Sequence, residues 1–445
     1  MTTRTNARDT RLSPRKVAVI GAGYVGLPTA ATLAHFGHRV VLAERDERRL
    51  GALRSGRMPI VEAGLDELVA GSVQAGNLHF SASATEAVAG AHFVFLCVPT
   101  PQSADGSADL SYVEAAAKEI GPHLGSGTIV VNKSTVPVGS ATMVEQVIGR
   151  PDISVVSNPE FLREGTAVSD SLHPDRIVVG ANDPQAAAQV GELFAATGAP
   201  LIVTDATTSE TIKYASNAFL ATKLSFVNAL AAVAEEVGAD VRDVLLGLGY
   251  DKRIGFEFLR PGPGWGGSCL PKDTRALLHI AREAGYDFSL LAGAIASNDE
   301  QLARVVAKIE AACDGSLDGT TVGVWGLTFK ANTDDRRDSP SLQIARRLVE
   351  LGAHVQAFDP TVAGSEPEEA NPDDLHDLAL RADPYEAAAG AAVVVVLTEW
   401  DEFRWLDFAR LHSVMAVPSI VDARNLLDPA AVRRMGFTYV GIGRQ

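Results

Sequence analysis

The N-terminal segment contains the pattern that most restricts how this chain can fold. Residues 16–20 form a short β-branched run that leads into the glycine-rich sequence GAGYVG at 21–26. A helical stretch to Phe36 and a second β-branched run at 39–43 follow, and Glu44 comes directly after the second run. This order of strand, G-x-G-x-x-G, helix, strand and acid predicts a Rossmann unit that binds a dinucleotide.

The glycines and the acid of this fingerprint have separate roles. Gly21 makes the tight turn, Gly23 lets a pyrophosphate approach the backbone, and Gly26 lets the helix pack closely on the strand. Glu44 is expected to bind the hydroxyls of the adenosine ribose, and it favours NAD over NADP because a carboxylate repels a 2′-phosphate. Arg45 beside it leaves NADP open.

Polar residues follow the next apolar strands. The strands predicted at 92–98 and 128–132 are followed by Thr100 and Thr135. Ligands of a parallel sheet bind beyond the carboxyl ends of its strands, so both threonines are candidate ligand-binding residues, although each taken alone is more typical of a turn. A strand at 153–157 precedes two acids, Glu160 and Glu164.

Those two carboxylates are four residues apart and would share one face of a helix. The alternative is a solvated acidic turn.

Farther along, residues 207–237 contain no proline or glycine, and Thr207 and Glu210 have the spacing of a capping box. The stretch predicts a helix of roughly 45 Å.

This long helix is apolar most of the way round, so we expect it to be covered on several sides and to provide a dimer surface. Lys213 and Asn217 are polar and four residues apart on it. They are candidate site residues, with an exposed first-turn lysine as the alternative for Lys213.

The segment 261–273, PGPGWGGSCLPKD, leads a single thiol into the predicted start of a helix. Pro271 suits a first helical turn. Free backbone N–H groups and Lys272 would lower the pKa of the Cys269 thiol below its free value of about 8.5. Asp273 lies four residues after Cys269 and shares its face if both are helical. A buried, inert cysteine is the alternative.

A second Rossmann-like layout begins near Gly319, with a strand at 320–325, a helix at 341–351 and a strand at 354–358. A longer loop that contains Lys330, Arg336 and Arg337 replaces the glycine fingerprint. Cations at a strand end suit a diphosphate held by side chains. A further strand at 420–425 contains Arg424 near its end. The basic and aromatic segment 251–260 is a second candidate phosphate site, or a solvated loop.

The composition and net charge of the chain limit the classes of partner and the cellular compartment that we expect for it. With 445 residues and 46% hydrophobic content, several domains are expected. The three cysteines cannot form a disulfide framework and indicate a reducing compartment, the cytoplasm. A net charge of −16 argues against nucleic acid and anionic membrane surfaces as partners. No membrane-spanning helix and no metal site are expected, residues 1–15 are predicted to be a disordered tail, and residues 366–380 a surface excursion.

Together these motifs strongly resemble the UDP-glucose/GDP-mannose dehydrogenase family, and the resemblance extends from Lys16 to Asn425. The sequences that carry it are GAGYVG at Gly21, KSTVPVG at Lys133, NPEFLREG at Asn158, HPDRIVVG at His173, KYASNAFLATK at Lys213, GWGGSCLPKD at Gly264 and FKANTDDRRDS at Phe329.

The resemblance implies an α/β fold in which two Rossmann-like, doubly wound parallel-sheet domains are joined by a long central helix with a small helical middle domain. It implies an NAD-binding domain at 16–205, a central helix and dimerisation domain with the catalytic cysteine at 206–300, and a nucleotide-sugar domain at 301–445. The activity implied is a four-electron oxidation of a nucleotide sugar with NAD as the cofactor.

The resemblance makes Cys269 the nucleophile. The C6 alcohol becomes an aldehyde, which the thiolate captures as a thiohemiacetal; a second hydride transfer gives a thioester, and hydrolysis gives the carboxylate. Lys213 and Asn217 would hold the C6 oxygen. Three residues would position water and move protons: Asp273, Thr135 and Glu160.

Further roles follow from the resemblance. The residues placed at the cofactor are Gly21, Gly23, Tyr24, Val25, Gly26, Glu44, Thr100, Thr135, Glu164, Lys272 and Arg337. Those placed at the nucleotide sugar are Phe161, Leu162, Glu164, Lys213, Asn217, Arg253, Phe258, Leu259, Arg260, Gly266, Cys269, Phe329, Lys330 and Arg424. Arg253 matches a position that reaches a neighbouring subunit's substrate, so a homodimer or a dimer-based oligomer is expected.

The leading hypothesis is oxidation of UDP-glucose to UDP-glucuronate with two NAD⁺ consumed. The same reaction on dTDP-glucose or GDP-mannose is the alternative, because Arg260 stands where lysine also occurs in the family and the Pro-Gly-Pro-Gly-Trp sequence at 261–265 is one of several variants. Glu44 stands where aspartate is common, a change that should be tolerated. A one-step sugar or hydroxyacid dehydrogenase and a non-enzymatic NAD-binding sensor are the other hypotheses. Two, one or no NADH formed per sugar nucleotide separates the three classes.

Overall fold

The computed structural model describes residues 13–103, 106–362 and 375–444. Most of the predicted N-terminal tail and most of the predicted excursion at 366–380 lie outside these ranges. The chain divides into two compact units, Met1–Lys213 and Tyr214–Gln445. Each unit contains one sheet, as the two Rossmann-like patterns predict.

The first unit contains an eight-stranded sheet of order β3-β2-β1-β4-β5-β6-β7-β8. Its strands are β1 (Lys16–Ile20), β2 (Arg39–Ala43), β3 (Leu78–Ser81), β4 (Phe93–Leu96), β5 (Ile129–Asn132), β6 (Ser154–Ser157), β7 (Ile177–Ala181) and β8 (Leu201–Thr204). Neighbours are parallel except β6 and β7, which are antiparallel. The last two strands therefore run against the other six.

Within residues 13–103 and 106–205, eight α-helices connect the strands of this sheet and cover its two faces. They are α1 (Gly26–His35), α2 (Glu47–Arg54), α3 (Leu65–Gln74), α4 (Ala84–Val88), α5 (Ser111–Ile120), α6 (Ser140–Ile148), α7 (Ala167–Leu172) and α8 (Pro184–Glu192). Alternate residues of β1 enter different cores: Val17 and Val19 pack on one face, Ala18 and Ile20 on the other. Burial on both faces explains the continuous apolar runs of these strands.

The long helix α9 (Ala206–Val237) has 32 residues, as the absence of proline and glycine predicts. The predicted capping box at its start is wrong. Asp205 caps the helix instead, because its carboxylate accepts from the Thr208 N–H at 2.8 Å and the Thr208 hydroxyl at 2.6 Å. Glu210 accepts from Gly139 N at 2.6 Å and Ala141 N at 2.9 Å, and so caps α6.

Among the described residues, α9 alone is long and apolar enough to cross a membrane by length and composition. The sequence analysis expected no such helix, and a core helix of a soluble protein meets the same criteria of length and composition. Its cover is also less complete than expected. Four large apolar side chains of α9 are exposed by more than half: Phe219, Phe226, Val233 and Val237.

The second unit contains a six-stranded, all-parallel sheet of order β11-β10-β9-β12-β13-β14. Its strands are β9 (Thr321–Trp325), β10 (His354–Phe358), β11 (Ala379–Leu380), β12 (Val393–Val396), β13 (Ser419–Asp422) and β14 (Thr438–Gly441). Its helices beyond α9 are α10 (Val241–Gly249), α11 (Leu270–Glu283), α12 (Ser289–Ala312), α13 (Pro340–Glu350), α14 (Pro384–Ala388), α15 (Phe408–Val414) and α16 (Pro429–Arg434).

Candidate active site

The glycine turn between β1 and α1 has no room for two side chains. Gly21 has φ +101°, and a Cβ there would lie 2.6 Å from the carbonyl oxygen of Cys97. A Cβ at Gly26 would lie 1.9 Å from the carbonyl oxygen of Gly21. Around Gly23 nothing lies within 4 Å of the Cβ position, so the backbone there is open to a ligand. These three environments fit the roles predicted for the three glycines.

Glu44 follows β2 and is fixed beside this turn. Its carboxylate accepts from Ala22 N at 3.0 Å and from Asp46 N at 2.9 Å. Arg45, the residue that left NADP open, forms an ion pair with Glu119. A backbone turn that admits a diphosphate, with a half-buried carboxylate beside it, fits a dinucleotide with free ribose hydroxyls.

The two candidate threonines meet as the sheet model predicts. Thr100 follows β4 and Thr135 follows β5, and these strands are neighbours. The Thr100 hydroxyl donates to the carbonyl oxygen of Thr135 at 2.9 Å. Both residues are 8% exposed. This bond holds the loop after β5 against the end of β4.

Glu160 and Lys213 form a buried ion pair in the first unit. Lys213 Nζ lies 2.7 Å from Glu160 Oε1, and the two side chains are each 4% exposed. The Leu162 N–H donates to the other carboxylate oxygen at 2.6 Å. The alternatives of an exposed Lys213 and a solvated turn at Glu160 are therefore wrong.

The electrostatics of Glu160 have opposing causes. Burial alone raises its pKa, but the Lys213 ammonium, the hydrogen bonds from Lys213 and Leu162 N, and the charge of Lys133 outweigh burial and hold the pKa below its usual value. A carboxylate with these neighbours stays ionised. The predicted helical face shared by Glu160 and Glu164 is wrong, because residues 158–163 have no regular secondary structure.

Glu164 and Leu162 are half-buried on this loop, and Phe161 is held from one side. The Arg176 guanidinium lies 3.8 Å from the centre of the Phe161 ring, a cation–π contact. Glu62 anchors the end of the loop, since it accepts from Gly165 N at 2.7 Å. The loop is therefore fixed at both ends.

Lys133 is a residue to which sequence reasoning gave no role. It directly follows β5, is 8% exposed, and donates from Nζ to Asn158 Oδ1 at 3.1 Å. The centre of the Phe194 ring lies 5.3 Å from the same nitrogen. Burial lowers the pKa of Lys133 to about 8. The sequence feature that could have identified Lys133 is its position as a lysine directly after an apolar strand.

In the second unit, Cys269 stands at the start of α11. It is the N-cap residue, Pro271 lies in the first turn as predicted, and Asp273 N donates to the Cys269 carbonyl at 3.0 Å. The thiol is half-buried, and Ser268 Oγ lies 3.6 Å from its sulfur. Cys269 is therefore the residue that directly precedes the first turn of α11, and its side chain accepts no hydrogen bond from the N–H groups of that turn.

Asp273 anchors the polar side chains near this thiol. Its carboxylate is fully buried and accepts from Asn217 Nδ2 at 2.6 Å and from Lys272 Nζ at 2.5 Å. Asn217 comes from α9 and Lys272 from α11. The structure thus brings Asn217 and Lys272 together on Asp273, which lies one helical turn after Cys269; the sequence placed Asn217 and Asp273 in the reaction and Lys272 at the cofactor.

The glycines before Cys269 pack against the loop between β9 and α13. A Cβ at Gly266 would lie 2.0 Å from the carbonyl oxygen of Asp338, and one at Gly267 would lie 2.9 Å from the Phe329 ring. Lys330 Nζ lies 5.5 Å from the centre of the same ring. Side chains at these two glycines would therefore separate the thiol segment from the loop.

The remaining predicted substrate residues of the second unit have different environments. Arg424 donates to the carbonyl oxygens of Leu397 and Phe329, both at 2.7 Å. Leu259 is buried, and Phe258 has φ +61°, a strained value for a residue with a side chain. Two arginines are exposed: Arg260 and Arg253, the latter paired with Asp251. Arg337 pairs with Asp335 at 2.6 Å.

A cavity of about 480 Å³ lies within the second unit. Four arginines line it: Arg275, Arg336, Arg337 and Arg346. Two of these, Arg336 and Arg337, belong to the loop whose cations the sequence analysis assigned to a diphosphate, and Arg337 is also among the predicted cofactor residues. Within residues 13–103, 106–362 and 375–444, no group of three or more His, Cys, Asp or Glu side chains is arranged to hold a metal ion.

Comparison with known proteins covers most of the chain. Residues 15–197, 207–300 and 323–429 match three models of the UDP-glucose/GDP-mannose dehydrogenase family, described as its NAD binding domain, its central domain and its UDP binding domain. The residues that form the glycine turn and hold Glu44 lie in the first of these matches. NAD is therefore the cofactor.

Individual relatives agree. The chain is 47% identical over 439 residues to a UDP-glucose 6-dehydrogenase of Rhizobium meliloti, covering 96% of this chain and 99% of the relative. It is 44% identical over 444 residues to one of Pseudomonas aeruginosa, covering 96% and 97%. A solved UDP-glucose dehydrogenase of Pyrobaculum islandicum superposes with a TM-score of 0.88 at 36% identity, covering 97% of this chain and 98% of that chain.

Proposed function

Since this chain belongs to the UDP-glucose/GDP-mannose dehydrogenase family, we propose that it oxidises the C6 alcohol of UDP-glucose to the carboxylate of UDP-glucuronate. Two NAD⁺, when bound in turn, would supply the acceptors for the four electrons, and Cys269 carries the intermediate. The relatives named UDP-glucose 6-dehydrogenase, identical at 44–47%, support UDP-glucose as the substrate.

One observation carries the proposal. Asp273 is fully buried, yet it accepts from both Asn217 and Lys272, and it lies one helical turn after Cys269. Burying a carboxylate is costly unless its partners are positioned to compensate for the lost water. An arrangement of this kind beside a half-buried thiol supports nucleophilic catalysis.

The proposed sequence of bonds is balanced. Loss of a hydride and a proton converts the alcohol to an aldehyde. The Cys269 thiolate adds to the aldehyde carbon, and the oxyanion takes up a proton to give a thiohemiacetal. Loss of that proton and of a second hydride gives a thioester. Water then adds to the thioester carbon, the carbon–sulfur bond breaks, and the carboxylate, the thiolate and two protons are formed. NAD, when bound, supplies the hydride acceptor for both oxidations.

The remaining roles belong to the chain's own residues. Lys213 and Asn217 hold the C6 oxygen and stabilise its negative charge. Glu160, Thr135 and Asp273 orient water and move protons. The ionised Glu160, paired with Lys213 at 2.7 Å, suits the acceptance of a proton. These assignments are proposals that geometry within each unit supports.

The domain roles are part of the proposal. Residues 16–205 bind NAD, residues 206–300 contain the long helix and Cys269, and residues 301–445 bind the nucleotide sugar. At the nucleotide sugar we propose Phe258, Leu259, Arg260, Gly266, Phe329, Lys330 and Arg424, with Phe161, Leu162 and Glu164 from the first unit. Glu164 also lies at the nicotinamide, and Tyr24, Val25, Thr100, Lys272 and Arg337 contact the cofactor.

We also propose that the chain is a homodimer in which Arg253 reaches the partner subunit's substrate. The exposed apolar side of α9 supports a second copy as its cover, with Phe219 69% and Val237 71% exposed. Sedimentation should give a mass near twice 46.8 kDa. Phe226→Glu, which places a charge on that side of the helix, should shift the mass toward the monomer, whereas an unchanged dimer would reject this surface.

The decisive experiment counts NADH at 340 nm per UDP-glucose consumed. The wild type should form two. Cys269→Ser should still bind NAD and UDP-glucose but should form no net UDP-glucuronate, because a serine hydroxyl is a far weaker nucleophile than a thiolate. Full turnover by this variant would exclude the covalent mechanism.

Cys313→Ser is the matched control, since Cys313 is also half-buried but lies at the end of α12. It should retain wild-type turnover. The same assay with dTDP-glucose and GDP-mannose tests the nucleobase. Faster oxidation of either would replace UDP-glucose as the substrate while leaving the reaction class intact, and one NADH per sugar would indicate a simple alcohol dehydrogenase instead.

A further inference from the structure

We propose that Lys133 is a positioning residue for this reaction: it ties together the roots of the two loops that carry Thr135 and Glu160, and it keeps the Glu160 carboxylate charged. The inference rests on the proposed function and deepens it. It concerns contacts within the first unit alone.

Lys133 and Asn158 occupy equivalent positions after two neighbouring strands, and we call the hydrogen bond between their side chains the tie. Lys133 directly follows β5 and Asn158 directly follows β6, and these two strands are neighbours. Lys133 Nζ donates to Asn158 Oδ1 at 3.1 Å. Thr135 lies two residues after Lys133, and Glu160 lies two residues after Asn158. This side-chain hydrogen bond therefore joins the two loops where they leave the sheet, beside the backbone bond from Asn158 N to the carbonyl oxygen of Asn132 at 2.9 Å.

The tie extends to a third strand. Asn158 Nδ2 donates to the carbonyl oxygen of Val178, in β7, at 2.7 Å. Asn158 is 1% exposed. Its amide thus has a donor and an acceptor satisfied on opposite sides, which fixes its orientation. Loss of Lys133 would leave the Asn158 oxygen without this donor in the interior, at a site that holds the Glu160 loop.

The charge of Lys133 is unusual for its position. Among the residues that the structure describes, no carboxylate lies within ion-pair distance of its ammonium group. The groups that act on it electrostatically are Cys97, Glu160 and Lys213. Burial raises the pKa of Cys97 to about 12, so this thiol is neutral, and Lys213 is itself a cation. Glu160 is therefore the anion that a charged Lys133 stabilises.

The consequence for Glu160 has a definite sign. Lys133 and Lys213 both lower the pKa of Glu160. Removing the Lys133 charge leaves one ammonium group where there were two, so the pKa of Glu160 must rise. When the solution is acidified, a Glu160 carboxylate with a raised pKa becomes protonated at a higher pH than the wild-type carboxylate does.

The test uses two variants in full-length protein. Lys133→Met should lower kcat about 10- to 100-fold, as expected when catalytic groups move by about 1 Å. KM for UDP-glucose and NAD should change less, because Lys133 acts through Asn158 and Glu160 and is not one of the residues proposed to bind either ligand. The acid limb of the kcat–pH profile should move to higher pH. In Lys133→Arg, which keeps the charge, the limb should stay at the wild-type position.

Lys308→Met is the control, because Lys308 also loses a side-chain contact, its 2.8 Å ion pair with Glu235, but lies on α12. It should show the wild-type kcat and acid limb. If Lys133→Met behaves like this control, the proposal is overturned. It is equally overturned if kcat falls but the limb of the Met variant does not move.

Asn158→Ala covers the case in which Lys133→Met does not fold, as judged by circular dichroism. It cuts the same tie but keeps the ammonium group, so kcat should fall while the acid limb moves less than in a charge-removing variant such as Lys133→Gln. Wild-type kcat in Asn158→Ala would overturn the tie. Failure of the wild type to oxidise UDP-glucose would instead overturn the proposed function itself, which separates the two outcomes.

Discussion

The loop after β1 in the first sheet and the loop after β9 in the second sheet begin with the same backbone arrangement but differ in what they can bind. The loop after β1 begins with Gly21 at φ +101°, and its N–H donates to Ala43 at 2.9 Å. The loop after β9 begins with Gly326 at φ +92°, and its N–H donates to Phe358 at 2.8 Å. In both, the neighbouring strand is followed by an acid whose carboxylate accepts backbone N–H groups from the loop.

The two acids differ in what remains accessible. Glu44 is half-buried and accepts from the backbone of Ala22 and Asp46, so one side of its carboxylate is still open to solvent. Asp359 is fully buried. It accepts from donors on four residues: Leu327, Thr328, Thr361 and Trp400. The same position in the Rossmann layout thus supports ligand binding in one sheet and loop structure in the other.

The loops differ in the source of their close packing. In the first, Gly26 on α1 provides it, since a Cβ there would meet Gly21 O at 1.9 Å. In the second, Gly266 provides it from the thiol segment, since a Cβ there would meet Asp338 O at 2.0 Å. A short glycine turn therefore suits a backbone-held diphosphate, whereas a long loop leaves room for a second segment and for cationic side chains.

The largest effects should come from these two glycines. Forcing a methyl group against backbone costs about 1–3 kcal/mol, so we expect affinity losses of about 10- to 100-fold. Gly26→Ala should weaken NAD binding, and Gly266→Ala should weaken UDP-glucose binding while leaving NAD affinity in place. Fluorescence titration with each ligand measures both.

Gly51→Ala is the control, because nothing lies within 4 Å of its Cβ position and it is in the middle of a helix. It should bind both ligands normally and gain slightly in stability. If Gly26→Ala and Gly266→Ala weakened the same ligand, the division of roles between the two connections would be wrong.

Smaller effects should come from the two acids. Asp359→Asn converts a buried acceptor of several hydrogen bonds into a group with two donors, and should lower the free energy of unfolding by about 2 kcal/mol. Glu44→Gln should change stability little and weaken NAD binding by about 3- to 10-fold, the value of one hydrogen bond. Urea unfolding and NAD titration separate the two; equal loss of stability in both variants would contradict the comparison.

Much of the fold could be predicted from local patterns. The bounds of β1, β2 and β10 match the predicted strands residue for residue, because their apolar, β-branched runs end at a glycine or an acid. Strands β3, β11 and β14 were not predicted, and residues 379–380 of β11 were assigned to a surface excursion. Each of these strands is short and lies at a sheet edge, where half-exposed residues weaken the pattern. The antiparallel pairing of β6 and β7 depends on the direction in which the connection between them returns to the sheet. Amino-acid composition does not encode that direction.

The candidate site divides in the same way. The residue types were identifiable because Cys269, Lys213 and Asp273 stand in motifs of defined spacing. The contacts among these residues could not be identified from the sequence. The start of α9 was assigned to the wrong cap, because Asp205 and Thr207 compete as caps and only the fold decides which one has the non-helical backbone.

By itself the sequence determined the glycine turn, the long helix, the thiol at a helix start and, through its motifs, the family. Each is a local property, set by backbone conformational freedom or by residue spacing along one element. Tertiary structure alone decided that Glu160 is buried against Lys213, that Asp273 receives Asn217 and Lys272, and that Lys133 links two loops. The physical reason is that burial and pairing, which govern charge, depend on residues distant in the chain.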